Sequence, residues 1–505
     1  MKTASVSLFL GLLCGVLSAT GADLPRPGMS PARVLAKPVL WFPIVAPTEK
    51  TANVVVTAED ARGFPALACQ SITKTNAGYA SFGWSGLNLP LPANGLLHVP
   101  IYLDDFQAPG GYSLSLTIQL TNAGGTIKYN FSANAFKAAG WTYLPLWDPS
   151  TPANAVFNKA GSSVVMGDTG FDFAAPVTAI SMAPNNLPAG AKISVGSIET
   201  ATKTKPLIVV TDDITDDSTY TQIVPIMEAA GFRGGLRIGG FKESSYSAGN
   251  VAKLRKAYDN GWDVYNGSWS RGGMNGATTK EVFVKEVLEC KTRAEALGFT
   301  RGMTWFSGAG NSLPSQSLCR SESSQLGLKV LKGGSGLGLV NIIRADGVDD
   351  PAIVTCVGMG GSGTQAATGV RGESMVVIAG SRALRDGAAV SGPGIGAGAR
   401  IAPHGVHGNT VTLTVPNTDN VAGPVTLADS FEAHVAIADG LIYTGGAVVY
   451  FMHDLKPASA APSSISFPVE DFAKLVAYWK AKSDLGLVDV VTPSQFDAIM
   501  RGIIP

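Results

Sequence analysis

Asp212 and Asp213 follow directly on the apolar run Leu207-Ile-Val-Val-Thr211, and with Asp216 and Asp217 they place four carboxylates in six positions. A β-branched strand that ends in paired acids is how α/β sheets and barrels present chemistry at their carboxyl ends. Adjacent carboxylates repel, so the pair calls for a cation, a basic side chain or a shared proton. Asp216 and Asp217, ahead of a helix that starts near Ser218, read as helix-start residues. Of the five histidines, His453, in Val449-Tyr-Phe-Met-His-Asp454, lies at the end of a second apolar run. An imidazole titrates near neutral pH, so this residue type suits proton transfer.

These residues need elements to hold them. After Lys205 strands alternate with helices: a strand at 207–211, a helix at 220–230 ending in Gly231, a strand at 234–238, and a helix at 248–260 ending in Gly261. A strand at 262–265, a long helix at 278–297 closed by Gly298 and a strand at 302–306 follow, which implies parallel strands with outer helices. The pattern resumes at Gly446, with a helix at 469–482 and a closing strand at 488–492. Between them, residues 359–436 are short β segments parted by Gly- and Pro-rich turns, an all-β insertion similar to modules of phage tail fibres and bacterial surface proteins. Residues 39–204 show strand signals at close spacing with no helical run, which predicts a β-sandwich, and the pattern resembles the jelly-roll, carbohydrate-binding-like modules that precede secreted glycan enzymes. Its Trp41, Trp84, Trp141 and Trp147 could stack on sugar rings or serve as core.

Three segments, Val210-Thr-Asp-Asp213, Asn260-Gly-Trp-Asp-Val-Tyr-Asn-Gly-Ser-Trp-Ser-Arg271 and Val449-Tyr-Phe-Met-His-Asp454, resemble in order and setting the motifs of the polysaccharide deacetylases, the NodB-like carbohydrate esterases of family 4. The resemblance covers 205–358 and 437–505. It implies a distorted parallel (β/α) barrel that removes acetyl groups from glycans, with Asp212 as base, Asp213 as metal ligand and His453 as acid. The sequence departs from that family where its two imidazole ligands should stand, at Gly267 and Arg271. A zinc site of three protein ligands cannot be completed from the barrel, so a divalent metal is disfavoured. His404 and His407, three apart in the insertion, read as a polar turn. Arg271 is expected to pair with Asp213 in place of a metal, with Arg301 as a second candidate for that part. Trp269, Trp305 and Asp454 complete the candidate substrate-binding set.

Composition bounds the rest. At 505 residues, with charged residues at 15% and a net charge of zero, the chain spans several domains and makes no electrostatic claim on nucleic acid. Residues 1–22 have the basic start, apolar run and small-residue end of a secretory signal, and 23–38 read as a Pro-rich linker. The run is too short for a membrane span. Cys69, Cys290, Cys319 and Cys356 would remain, with Cys290 and Cys319 best placed for a bridge and buried free thiols the alternative. The expectation is a secreted, glycan-active hydrolase with altered or absent metal dependence, acting on a polysaccharide or oligosaccharide. The alternative is a catalytically silent glycan-binding or tail-type surface protein on the same barrel.

Overall fold

The computed structural model describes residues 38–59, 69–103, 114–132, 140–158, 163–201, 205–214, 216–240, 248–335, 352–379, 384–458 and 465–500. The signal segment and all but the last residue of the linker lie outside the described residues. Two antiparallel sheets, of seven and six strands, occupy 38–201. Along Ser115–Thr121 half-buried and buried residues alternate, as a strand with one face on a core requires. Phe82, Val99, Ile118, Tyr129 and Val195 from these sheets join one continuous apolar cluster.

The α/β part is a nearly closed barrel. Its parallel strands are β1 (Leu207–Asp212), β2 (Gly235–Ile238), β3 (Asp263–Asn266), β4 (Trp305–Phe306), β5 (Val330–Ser335), β6 (Ala352–Gly358) and β7 (Ala447–Met452). Each pairs with the next, and β1 pairs with both β7 and β2. An eighth strand, β8 (Asp489–Val491), pairs with the amino half of β1 at Leu207–Val209, while β2 reaches only Thr211 and Asp212. The ring is therefore pinched open at its amino end and joined at its carboxyl end.

Outer helices are α1 (Val224–Ala229), α2 (Ala248–Asp259), α3 (Lys280–Ala296), α4 (Gln316–Leu326), α5 (Phe431–Thr444), α6 (Val469–Asp484) and α7 (Pro493–Met500). Thr279, Ser315 and Ser430 cap α3, α4 and α5 by accepting from backbone amides in the first turn. Gly231, Gly261 and Gly298 follow α1, α2 and α3 with φ of 81°, 100° and 80°, the left-handed conformation that glycine adopts without a Cβ penalty. The period of two splits β1 between two environments: Leu207 and Val209 face Tyr265, Val330 and Val449 inside the barrel, while Ile208 and Val210 meet the helices outside. Among the described residues no helix is long and apolar enough to cross a membrane.

The inserted segment forms a six-stranded antiparallel sheet from Ser362 to Ala428 with its own core around Val376, Ile401, Val411 and Val425. Its two ends are tied together, since Asp429 accepts from Gly360 N at 2.9 Å and donates its own amide to Gly361 O at 3.0 Å. The thiols correct the expected bridge: Cys290 and Cys319 are unbridged and buried, and Cys69 and Cys356 are buried as well. Cys290 donates to Ile238 O and Cys319 to Pro314 O, each packed into a separate part of the core.

Candidate functional site at the carboxyl ends of the barrel strands

Asp213 continues the inward register of β1, and its amide bonds to Met452 O at 3.0 Å, extending the pairing with β7. The same alternation sends Thr211, Arg237 of β2, Tyr265 of β3 and Lys332 of β5 to the barrel interior. They meet on one carboxylate. Arg237 Nη1 lies 3.1 Å from Asp213 Oδ2, Lys332 Nζ lies 3.3 Å from Oδ1, and Tyr265 donates to Oδ1 at 3.2 Å. Lys332 Nζ also donates to Thr211 Oγ1 at 3.2 Å and to Tyr265 Oη at 2.9 Å. All these side chains are buried. Burial alone would raise the Asp213 pKa, but Lys332, then Arg237 and His453, outweigh it and hold the carboxyl at about 2. Burial acts against the charge on Lys332 too, and Asp213 overcomes it, so the ammonium stays charged with its pKa above the ordinary value.

Asp212 points the other way and has the opposite fate. Its Oδ2 accepts from Thr219 Oγ1 at 2.5 Å and from Ile214 N at 3.2 Å, while Oδ1 is buried with no partner among the described residues. Burial raises its pKa to about 8, with the Asp213 charge adding to the effect against the Thr219 bond. At neutral pH Asp212 is a carboxylic acid beside an ionised neighbour. His453 follows β7, with Nδ1 3.7 Å from Asp213 Oδ2 and its ring edge-on to Phe451. Its side chain is 22% exposed, against 1% for Asp213, so it is the member of the group that solvent reaches. Burial lowers its pKa, Asp213 pulls upward, and Arg237 and Lys332 push down again, leaving it below the ordinary histidine value.

Arg271 sits at this end of the barrel, and it corrects the expected carboxylate pairing. Its Nη2 donates to the main-chain oxygens of Asp213 at 2.8 Å and Ile214 at 3.0 Å. The guanidinium thus clamps the turn after β1. That turn is strained, with Ile214 at φ 48°, and the facing loop has Ser268 at φ 72° and Arg271 at φ 54°. Left-handed non-glycine residues, a β-branched one above all, persist only where surrounding contacts impose them.

The cations at the carboxylate come from Arg237 and Lys332 instead. Gly267 shows how the first of these is accommodated. A Cβ built there would stand 2.5 Å from Arg237 Cγ and 2.8 Å from Ile238 O. The space that a side chain at 267 would need is therefore occupied by the stem of Arg237. Among the described residues no group of three or more His, Cys, Asp or Glu side chains could hold a metal ion. A divalent cation does not fit this donor set, since Asp213 already faces two fixed positive charges.

The other candidates lie apart from the cluster. Arg301 is at the amino end of the strands, where Nε pairs with Asp263 Oδ1 at 2.9 Å, and Asp263 Oδ2 also takes Ser494 N at 2.6 Å. Trp305 is fully buried inside the barrel, edge-on to Phe496 at 5.6 Å, and Trp269 is half-buried against the main core. Asp454 bonds Ser466 at 3.0 Å and Lys456 at 3.2 Å, bracing a small two-stranded sheet beside the mouth. Asp216 and Asp217 act at the helix start, the first accepting from Ser218 N at 2.8 Å and the second pairing with Lys253 at 2.7 Å. Among the tryptophans of the first two sheets, Trp84 and Trp147 are core, and Trp41, half-buried, donates to Pro90 O. The Trp141 side chain lies outside the described residues. His404 and His407 lie on the inserted strand Ile401–His407.

Arg237 and Lys332 were not singled out from the sequence. Arg237 carries a usable signal, because Leu236 and Ile238 flank it as apolar outward residues and leave it facing inward. Lys332 carries none: Lys329-Val-Leu-Lys-Gly-Gly-Ser335 has too few apolar positions to show a period.

No family model matches this chain, and no curated protein matches it. Solved structures do. A family 4 carbohydrate esterase from Streptomyces lividans is 11% identical, with 56% of this chain and 91% of that one covered at a TM-score of 0.27. A family 4 acetyl xylan esterase from Clostridium thermocellum is 11% identical over 57% and 89%, with a TM-score of 0.29. A peptidoglycan deacetylase from Bacillus subtilis is 13% identical over 59% and 92%, with a TM-score of 0.28. At these values the likeness carries nothing about substrate or activity, and a functional reading has to rest on the site's own residues.

Proposed function

We propose that this chain is a secreted, glycan-directed hydrolase that removes acetyl groups from a polysaccharide without a metal ion. The observation that carries the metal-free part is the Asp213 carboxylate held between Arg237 and Lys332. The three motif segments in their order support the glycan and acetyl part, and the amino-terminal apolar run supports secretion. The two antiparallel sheets ahead of the barrel, with their shared core, are read as a sandwich that presents the barrel to its glycan.

The proton inventory changes the family's roles. With His453 lowered, its neutral imidazole is the base near pH 7, while Asp212, turned away from the barrel interior and fully buried, stays a neutral acid behind it. His453 takes a proton from water as its oxygen attacks the acetyl carbon, and Asp213 steadies the resulting imidazolium. The imidazolium then returns that proton to the leaving nitrogen or oxygen as its bond to the carbonyl carbon breaks, giving acetic acid, which ionises, and the freed sugar group.

Full burial of Asp212 favours a second reading, a closed barrel that binds glycan and leaves it unchanged. One assay separates the two. Purified full chain is incubated with acetylated chitooligosaccharide and acetylated xylan in EDTA, beside Asp212→Asn and His453→Ala. Acetate release that survives EDTA, falls at least about a hundredfold in His453→Ala and changes far less in Asp212→Asn supports the hydrolase. Release abolished by EDTA refutes the metal-free reading, and binding without release establishes the silent one.

A further inference from the structure

A cavity of about 450 Å³ lies where the amino-terminal region, the inserted sheet and α5 meet. Its walls are largely carbon, from Ala155, Ile401, Pro403, Phe431, Val435 and Ala436. Pockets of this size at junctions between parts of a chain are common ligand sites, and a few polar groups in them set the chemistry.

Asp386 is the informative group. It is 5% exposed, its Oδ2 accepts from His404 N at 2.7 Å, and its Oδ1 is buried without a hydrogen bond of ordinary geometry, although the Asn154 side chain and the Gly405 amide act on the carboxyl from nearby. His404, also lining the cavity, holds a left-handed φ of 60°, and its Nδ1 is likewise buried and unpartnered. The other charged groups of the lining have counter-ions. Arg400 pairs with Glu432 at 2.8 Å, and Lys482 reaches Asp439 at 3.3 Å. Among the described residues Asp386 alone of these acids has no ion-pair partner. A buried carboxyl with a vacant oxygen on an apolar-walled cavity is costly unless something pairs with it.

We propose that this cavity is a binding site for a protonated primary amine carried on a compact body with an apolar face. The ammonium pairs with Asp386 Oδ1, and the body lies on Phe431 and Val435. A pyranose has such a face, and so does a cycloalkane, so an amino sugar and a simple alicyclic amine share the recognised chemistry. The amino-sugar form rests on the glycan reading of the barrel; amine binding itself does not.

The test is calorimetry on the full chain with glucosamine trisaccharide, its fully N-acetylated counterpart and cyclohexylamine. Asp386→Asn keeps the acceptor for His404 N and removes the charge, while Ala155→Leu fills the cavity and leaves Asp386 in place. At least one amine is expected to bind, the acetylated sugar is not, and each variant should weaken binding by about tenfold or more. Binding of the trisaccharide identifies the amino-sugar source, and binding of cyclohexylamine alone identifies a small amine. The site is overturned if neither amine binds, if the acetylated sugar binds as tightly, or if either variant binds like the wild type. None of these outcomes depends on whether the barrel releases acetate.

Discussion

Replacing Lys332 by Met keeps most of the side-chain volume in the barrel and removes one charge. Asp213 then faces Arg237 alone, while Tyr265 and Thr211 each lose a contact to the ammonium. Two unit charges at the observed 3.3 Å attract by about 5 kcal/mol at an effective dielectric of about 20, and breaking a buried pair typically costs about 3–5 kcal/mol. A pH signature accompanies the loss. Asp213 has a folded pKa of about 2 against an ordinary 3.8, so its contribution is present above 3.8 and disappears as pH falls through 2. That shift corresponds to about 2 kcal/mol, and much of it comes from Lys332, so the gap between wild type and variant should narrow between about pH 4 and pH 2. Hydrogen exchange of peptides spanning Leu207–Asp212 and Val330–Ser335, under mild urea, reads this locally and does not require the whole chain to unfold in one step. A change below about 1 kcal/mol at pH 7, or a gap independent of pH, would refute an ion network that holds the barrel end together. Asp213→Asn in the Lys332→Met background should cost less than the two single changes added, since the partners act as one unit.

Asp212 has the opposite sign. Its folded pKa of about 8 exceeds the ordinary 3.8, so the stability it confers is present below 3.8 and lost as pH rises through 8. Asp212→Asn should flatten the fall in thermal midpoint between about pH 4 and pH 8, with parallel curves for the two proteins as the contrary result. Gly267→Ala sets a methyl 2.5 Å from Arg237 Cγ and should destabilise by about 1–3 kcal/mol in urea unfolding. Part of that loss should return when Arg237→Ala is added; an equal cost in both backgrounds would show that Arg237 is not what fills the space.

Much of the barrel was legible because its elements are punctuated. Gly231, Gly261 and Gly298 fall where the helices end, and the run into Asp212 and Asp213 is a strand whose last residues reach the carboxyl end. The site was legible only as far as residues adjacent in sequence could show it. Asp212, Asp213 and His453 come from continuous apolar runs, so their placement could be read. The partners of Asp213 arrive from β2 and β5 through barrel closure, a long-range event with no local signature. Arg271 illustrates the difference: its type suggested a carboxylate partner, but a strained turn offered two carbonyl oxygens nearer to hand. Trp305 was a reasonable sugar wall until the inward register of β4 placed it among Tyr265, Val330 and Phe496. The bridge suggested for Cys290 and Cys319 failed for a similar reason, since thiols on successive helices can pack into different parts of a core.

The proposal that Arg237 and Lys332 stand where a metal would otherwise be needed is tested most directly by diffraction from crystals soaked in zinc, recorded at the zinc edge. A site filled by the two side chains gives no anomalous peak within bonding distance of the Asp213 carboxylate, and Lys332 Nζ remains beside Oδ1. A peak on Asp213, with the ammonium or the guanidinium displaced, would contradict it.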